Sequence, residues 1–79
     1  MPTITLYGKP GCHLCDVALD DLESVRKTHP FEIVKINIED DPDLLSRYGE
    51  LIPVMLLDGA PLFKYRVNAA RLRQRLEVK

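Results

Sequence analysis

A chain of 79 residues with 46% hydrophobic and 29% charged residues has room for one domain, residues 1–79, with a modest core. Its net charge near −1 gives no global attraction to nucleic acid or membrane, and no run reaches the roughly 18 apolar residues of a membrane span. The two cysteines are too few for the disulfide framework of a small secreted domain.

"TITLYG" alternates β-branched and aromatic residues and stops at a glycine, so residues 3–7 read as a strand. From His13 to Lys27 the period changes: Leu14, Ala18, Leu22 and Val25 share a helical face, with Val17 and Leu19 broadening it, and Pro30 forbids continuation. "FEIVKINI" is a second strand, with Phe31, Ile33 and Lys35 alternating against Val34, Ile36 and Ile38. Asp41 then Pro42 reads as an N-cap and a proline in the first helical position, and Gly49 as a stop, which predicts a short helix over 42–48. In "PVMLLDGAPLFKYR", Asp58-Gly59 separates two apolar runs and predicts a hairpin. Asn68 caps a last helix in which Ala69, Leu72 and Leu76 share a face.

The order is β-α-β-α-β-β-α. A strand-helix-strand start implies a parallel pair with a right-handed crossover, and the hairpin adds an antiparallel pair. The expected fold class is α/β, a four-stranded mixed sheet flanked by helices. Acidic residues gather at Asp16–Glu23 and Glu39–Asp43, while Lys64, Arg66, Arg71, Arg73, Arg75 and Lys79 fill the tail. Charge runs of this kind ordinarily mark solvated faces.

All the thiol chemistry lies in "KPGCHLC". Cys12 falls where the first loop enters the first helix, beside unsatisfied backbone N–H groups and the positive end of the helix dipole, a setting that favours thiolate. Cys15, three residues on, faces the same side one turn deeper, within bonding reach. Lys9 adds a cation and Asp16 opposes it. A thiol of pKa about 8.5 lowered to about 7 becomes roughly 15-fold more ionised at neutral pH, while its intrinsic nucleophilicity falls about fivefold. The larger gain is a better leaving group, so the site suits exchange in both directions. Inert core cysteines are the bland alternative, but spacing, glycine-rich approach and helix start together speak against it. A zinc site needs four ligands and this pair supplies two; His13 lies about 100° around the helix from Cys12, and His29 is at the helix's far end. No resident metal is expected. His13 has two readings, a solvated first-turn residue or an imidazolium that stabilises the Cys12 thiolate. Leu14 reads as an exposed apolar contact for partners. In a reducing compartment a close thiol pair is more often catalytic or metal-binding than structural, and with no signal peptide read at the N-terminus, the expected location is the cytoplasm.

"LIPV" at 51–54 completes the pattern. A proline at the head of an apolar strand cannot donate a ladder hydrogen bond; were Ile52-Pro53 cis, backbone groups of Ile52 would be free to pair with an extended substrate.

A strand, "KPGCHLC", a helix and a proline heading a hairpin resemble the glutaredoxins and, more broadly, the thioredoxin-like fold, over essentially the whole chain. The resemblance implies that Cys12 attacks, that Cys15 resolves, and that Pro53 is cis and faces them. Lys9 matches a lysine that glutaredoxins use toward a carboxylate of glutathione. Where glutaredoxins often carry Pro-Tyr within the motif, this chain has His13 and Leu14; where they carry glycine and an acid at the last helix, it has "RVNAARL". The implied activity is reduction of protein disulfides or glutathione mixed disulfides by a two-thiol mechanism. No cofactor is expected to be bound, and the reductant would be glutathione or a thioredoxin reductase. The alternative is a redox-sensing or partner-binding module without turnover. The candidate site is Cys12 and Cys15, with Lys9, His13, Leu14, Ile52 and Pro53 contacting substrate.

Overall fold

The structure, a computed structural model, describes residues 1–77. The elements run β1 (Thr3–Gly8), α1 (His13–Arg26), β2 (Glu32–Asn37), a 3-10 turn (Ile38–Asp40), α2 (Pro42–Tyr48), β3 (Val54–Leu57), β4 (Ala60–Lys64) and α3 (Ala69–Glu77). The sheet order is β2-β1-β3-β4. β1 is parallel to β2 and antiparallel to β3, and β3 and β4 form the hairpin. This is the expected mixed sheet.

Alternation along β1 buries Ile4 and Leu6, which meet Ala18, Leu22 and Val25 of α1, Met55 of β3 and Leu72 of α3 in one cluster. Phe31, one residue before β2, joins that cluster fully buried. Each such large apolar side chain contributes about 1.5–3 kcal/mol by leaving water. Leu14 and Val17 are exceptions to the expected face: both are exposed, because the buried stripe follows Cys15, Ala18, Leu22 and Val25 at spacings of three and four. β2 is shorter than the apolar run suggested. Ile38 leaves the ladder to start the 3-10 turn, where the Asn37 side chain accepts from the Glu39 N–H.

Asp41 caps α2 by accepting from the Asp43 N–H at 2.9 Å, and Pro42 follows in the first turn. Gly49 ends α2 in right-handed geometry, φ −52°. The stop therefore comes from the turn beyond it, where the N–H groups of Leu51 and Ile52 both donate to the Tyr48 carbonyl. Asp58 and Gly59 both take positive φ, 49° and 86°, the backbone of a tight hairpin turn that glycine adopts without strain. Leu62 is an extra residue in β4, opposite the Met55–Leu56 step. α3 is capped by Asn68, which accepts from the Arg71 N–H at 3.0 Å.

Candidate functional site

The site forms because two loops meet at one end of the sheet. β1 ends at Gly8 and the chain turns through Gly11, at φ 79°, into α1. On the neighbouring strand, Val54 pairs with Tyr7, so the residues just before β3 lie beside the loop that carries the cysteines. Ile52-Pro53 is cis, as the resemblance implies for Pro53.

Cys12 is the N-cap of α1, in extended geometry, and its Sγ accepts from the Cys15 N–H at 3.2 Å. One of the orphan donors at the helix start thus points at sulfur. Cys12 and Cys15 form a disulfide with Cα atoms 5.2 Å apart. Cys12 is partly exposed, whereas Cys15 keeps 7% of its surface. The two sulfurs therefore differ in access: an incoming group meets Cys12 first.

Around Cys15, Ile38 and Ile52 form a small buried cluster, with Tyr7, Cys12, Leu44 and Tyr48 packed against it. Tyr7 and Tyr48 stack with ring centroids 4.9 Å apart. The aromatic pair joins β1 to α2 and closes one flank of the cluster. Gly8 packs against the other side of Cys15: a Cβ added there would stand 2.9 Å from its Sγ. Any larger residue would push the buried sulfur aside. The tyrosines are far apart in sequence, and Gly8 reads only as a strand end, so none of these contacts announces itself in the residues alone.

The other expected contacts divide. Lys9 is exposed, and its carbonyl accepts from the Cys12 N–H at 3.3 Å, holding the loop. Together with Gly8, Cys15, Asp16, Lys35 and Asn37 it lines a groove of about 290 Å³. Leu14 is exposed at 45%. His13 is also exposed and makes no hydrogen bond to Cys12 among the described residues. One backbone group of Ile52 departs from the expectation. Its N–H is engaged by the Tyr48 carbonyl at 3.1 Å, because the turn after α2 uses that donor to end the helix. Pro53 is buried and its carbonyl is engaged too, accepting from the Tyr65 N–H at 2.8 Å. No group of three His, Cys, Asp or Glu side chains gathers as a metal cluster among the described residues.

A mixed four-stranded sheet flanked by helices, with a cysteine pair entering the first helix and a proline loop beside it, defines the thioredoxin-like class. A mutant thioredoxin from Halobacterium salinarum shares this fold at 18% identity, with TM-score 0.67 over 96% of this chain and 72% of that one. Within the class, residues 3–77 match the glutaredoxin-like domain (DUF836), and the chain belongs to that family. A protein of X. campestris is 34% identical, with TM-score 0.78, 94% of this chain and 95% of that one being covered. A Nitrosomonas europaea protein is 27% identical, with TM-score 0.85, covering 96% and 92%. Fold and paired cysteines together point to redox function.

Proposed function

We propose that the protein is a two-thiol thiol-disulfide oxidoreductase acting on protein disulfides or glutathione mixed disulfides. The observation that carries this is the difference in access between two bonded sulfurs at one helix start, Cys12 partly exposed and Cys15 buried. In the reduced protein the Cys12 thiolate attacks one sulfur of the substrate disulfide. A Cys12–substrate bond forms, the substrate S–S bond breaks, and the first product leaves as a thiolate that takes a proton. Cys15 then loses its proton and attacks the Cys12 sulfur. The Cys12–Cys15 bond closes and the second product thiol departs. Two electrons pass to the substrate. Two molecules of glutathione, or a thioredoxin reductase, return them.

The groove beside Cys15 has room for the body of a small disulfide, with Lys9 available to a carboxylate. Leu14 and Ile52 supply apolar contacts at the cysteines, Pro53 shapes the adjoining loop, and His13 borders it. The cytoplasm suits the chemistry, since a close thiol pair stays reducible there. No helix among the described residues is long and apolar enough to cross a membrane.

The test is reduction of insulin disulfides, and of a glutathionylated small substrate, with each electron donor in turn. Cys12→Ser is expected to abolish turnover. Cys15→Ser should lose most turnover on protein disulfides and accumulate a mixed disulfide through Cys12, visible by mass. Equal deglutathionylation by Cys15→Ser and the parent would replace the two-thiol mechanism with a one-thiol glutathione mechanism. No turnover with either donor would leave a redox-sensing or partner-binding module.

A further inference from the structure

The loop from β4 to α3 is tied directly to the proline loop. The Tyr65 N–H donates to the Pro53 carbonyl at 2.8 Å, and the Arg66 N–H donates to the Lys64 carbonyl at 2.7 Å. Lys64, Tyr65 and Arg66 are therefore held in a tight turn next to the residues that adjoin the cysteines. Lys64 also pairs across the hairpin with Val54, the residue after Pro53.

Three observations mark this turn as more than a connection. Tyr65 takes φ 67°, a left-handed conformation that is uncommon for a bulky side chain and that glycine would adopt without strain. Its side chain gains no burial in return, remaining 44% exposed. Lys64 and Arg66 are exposed, and among the described residues neither has a carboxylate within ion-pair distance. Strain kept at an exposed aromatic beside a reactive centre suggests a role for the side chain itself. An apolar groove of about 320 Å³ then runs from Tyr48, which packs on the Cys15 cluster, to Lys64, along Leu51, Val54 and Leu56.

Building on the thiol-disulfide reading above, we propose that Lys64, Tyr65 and Arg66 form a specificity surface that selects protein disulfides flanked by acidic residues. A carboxylate of the substrate segment pairs with Arg66 or Lys64, and an apolar neighbour lies against Tyr65 and the groove. Such rim charges act through encounter rate and orientation, and salt weakens them.

The experiment uses three peptides, each with its cysteine in a mixed disulfide with a chromogenic aryl thiol and flanked by Asp, Ser or Lys. At low salt the acidic peptide should exceed the basic one in kcat/KM by about tenfold, the combined effect of two exposed ion pairs. The gap should narrow at about 0.5 M salt. Arg66→Glu should reverse the order, whereas Arg75→Glu, the same charge change in the last turn of α3, should keep it. Tyr65→Gly should raise KM for the acidic peptide while thermal stability holds or rises, a combination that a purely structural tyrosine would not give. Equal rates for the three peptides, or the same reversal with Arg75→Glu, would overturn the surface. Titration with redox-inert peptides, serine replacing the cysteine, decides the surface independently of turnover: the acidic peptide should shift the Tyr65 and Arg66 amide resonances and the basic one should not. Shifts with neither peptide would overturn it, while turnover lost with all three peptides would instead count against the oxidoreductase chemistry.

Discussion

Cys15 and Gly8 show how far one missing carbon can matter. The Cβ that alanine would add at Gly8 stands 2.9 Å from the Cys15 Sγ and 3.3 Å from its Cβ, so side chain or strand must move. Overpacking of this kind costs about 1–3 kcal/mol. Gly8→Ala is expected to lower unfolding free energy by that amount in urea, and to slow closure of the Cys12–Cys15 bond because the displaced sulfur meets Cys12 less well. Unchanged stability and an unchanged mixed-disulfide lifetime would show that the approach is not tight. At this scale the paired cysteines were legible from spacing and position, since both properties are local. Gly8's role was not, because it depends on a neighbour seven residues away that only the folded loop brings near. The engaged Ile52 N–H was hidden for the same reason: its acceptor, Tyr48, belongs to a turn whose path no residue pattern states.

Among the elements, the hairpin is the one whose sequence and geometry agree most closely. Asp58-Gly59 predicts a hairpin, and both residues take the positive φ that a tight two-residue hairpin turn needs. The turn also anchors the sheet: the Asp58 N–H donates to the Thr3 carbonyl at 2.8 Å, and the Asp58 carboxylate accepts from the Thr3 N–H at 2.9 Å. Gly59→Ala meets no atom within 4 Å, so its cost is backbone strain alone, about 1–2 kcal/mol. Asp58→Ala should lose about 0.5–1.5 kcal/mol from the hydrogen bond to β1. Thermal or urea unfolding of both variants checks this, and a loss from Asp58→Ala much larger than from Gly59→Ala would mean that the β1 anchor outweighs the turn. The caps at Asp41 and Asn68 were equally legible, because a cap needs only its own next few residues. β2 was not. Phe31 and Ile38 extend its apolar run but serve the core and the 3-10 turn, and tertiary packing alone separates those uses.

Taken as a whole, the molecule keeps its main core and its reactive end in two separate clusters. Ile4, Leu6, Ala18, Leu22, Val25, Phe31, Met55 and Leu72 form the first, while Cys15, Ile38 and Ile52 form the second. Leu72 is the fully buried residue of α3, with Ala69 and Leu76 packed beside it at the same interface. Near the helix's far end, His29 Nε2 meets Glu77 Oε2 at 2.8 Å, a half-exposed contact that adds little. Leu72 is therefore the most deeply buried of the apolar side chains that hold α3. Leu72→Ala should cost about 2–5 kcal/mol, a large share of the roughly 5–15 kcal/mol that stabilises a typical domain. Hydrogen exchange should show α3 losing protection first, since Leu72 is its one fully buried side chain among the described residues. Below the unfolding transition, however, the order of alkylation by iodoacetamide in the reduced variant should stay as in the parent, Cys12 before Cys15, because the sulfurs' access is set by the other cluster. Tyr48→Ala should do the reverse, exposing Cys15 to the reagent with a smaller loss of global stability. If Leu72→Ala labels both cysteines together while still folded, the two clusters form one cooperative unit, and the reactive end cannot be tuned apart from the core.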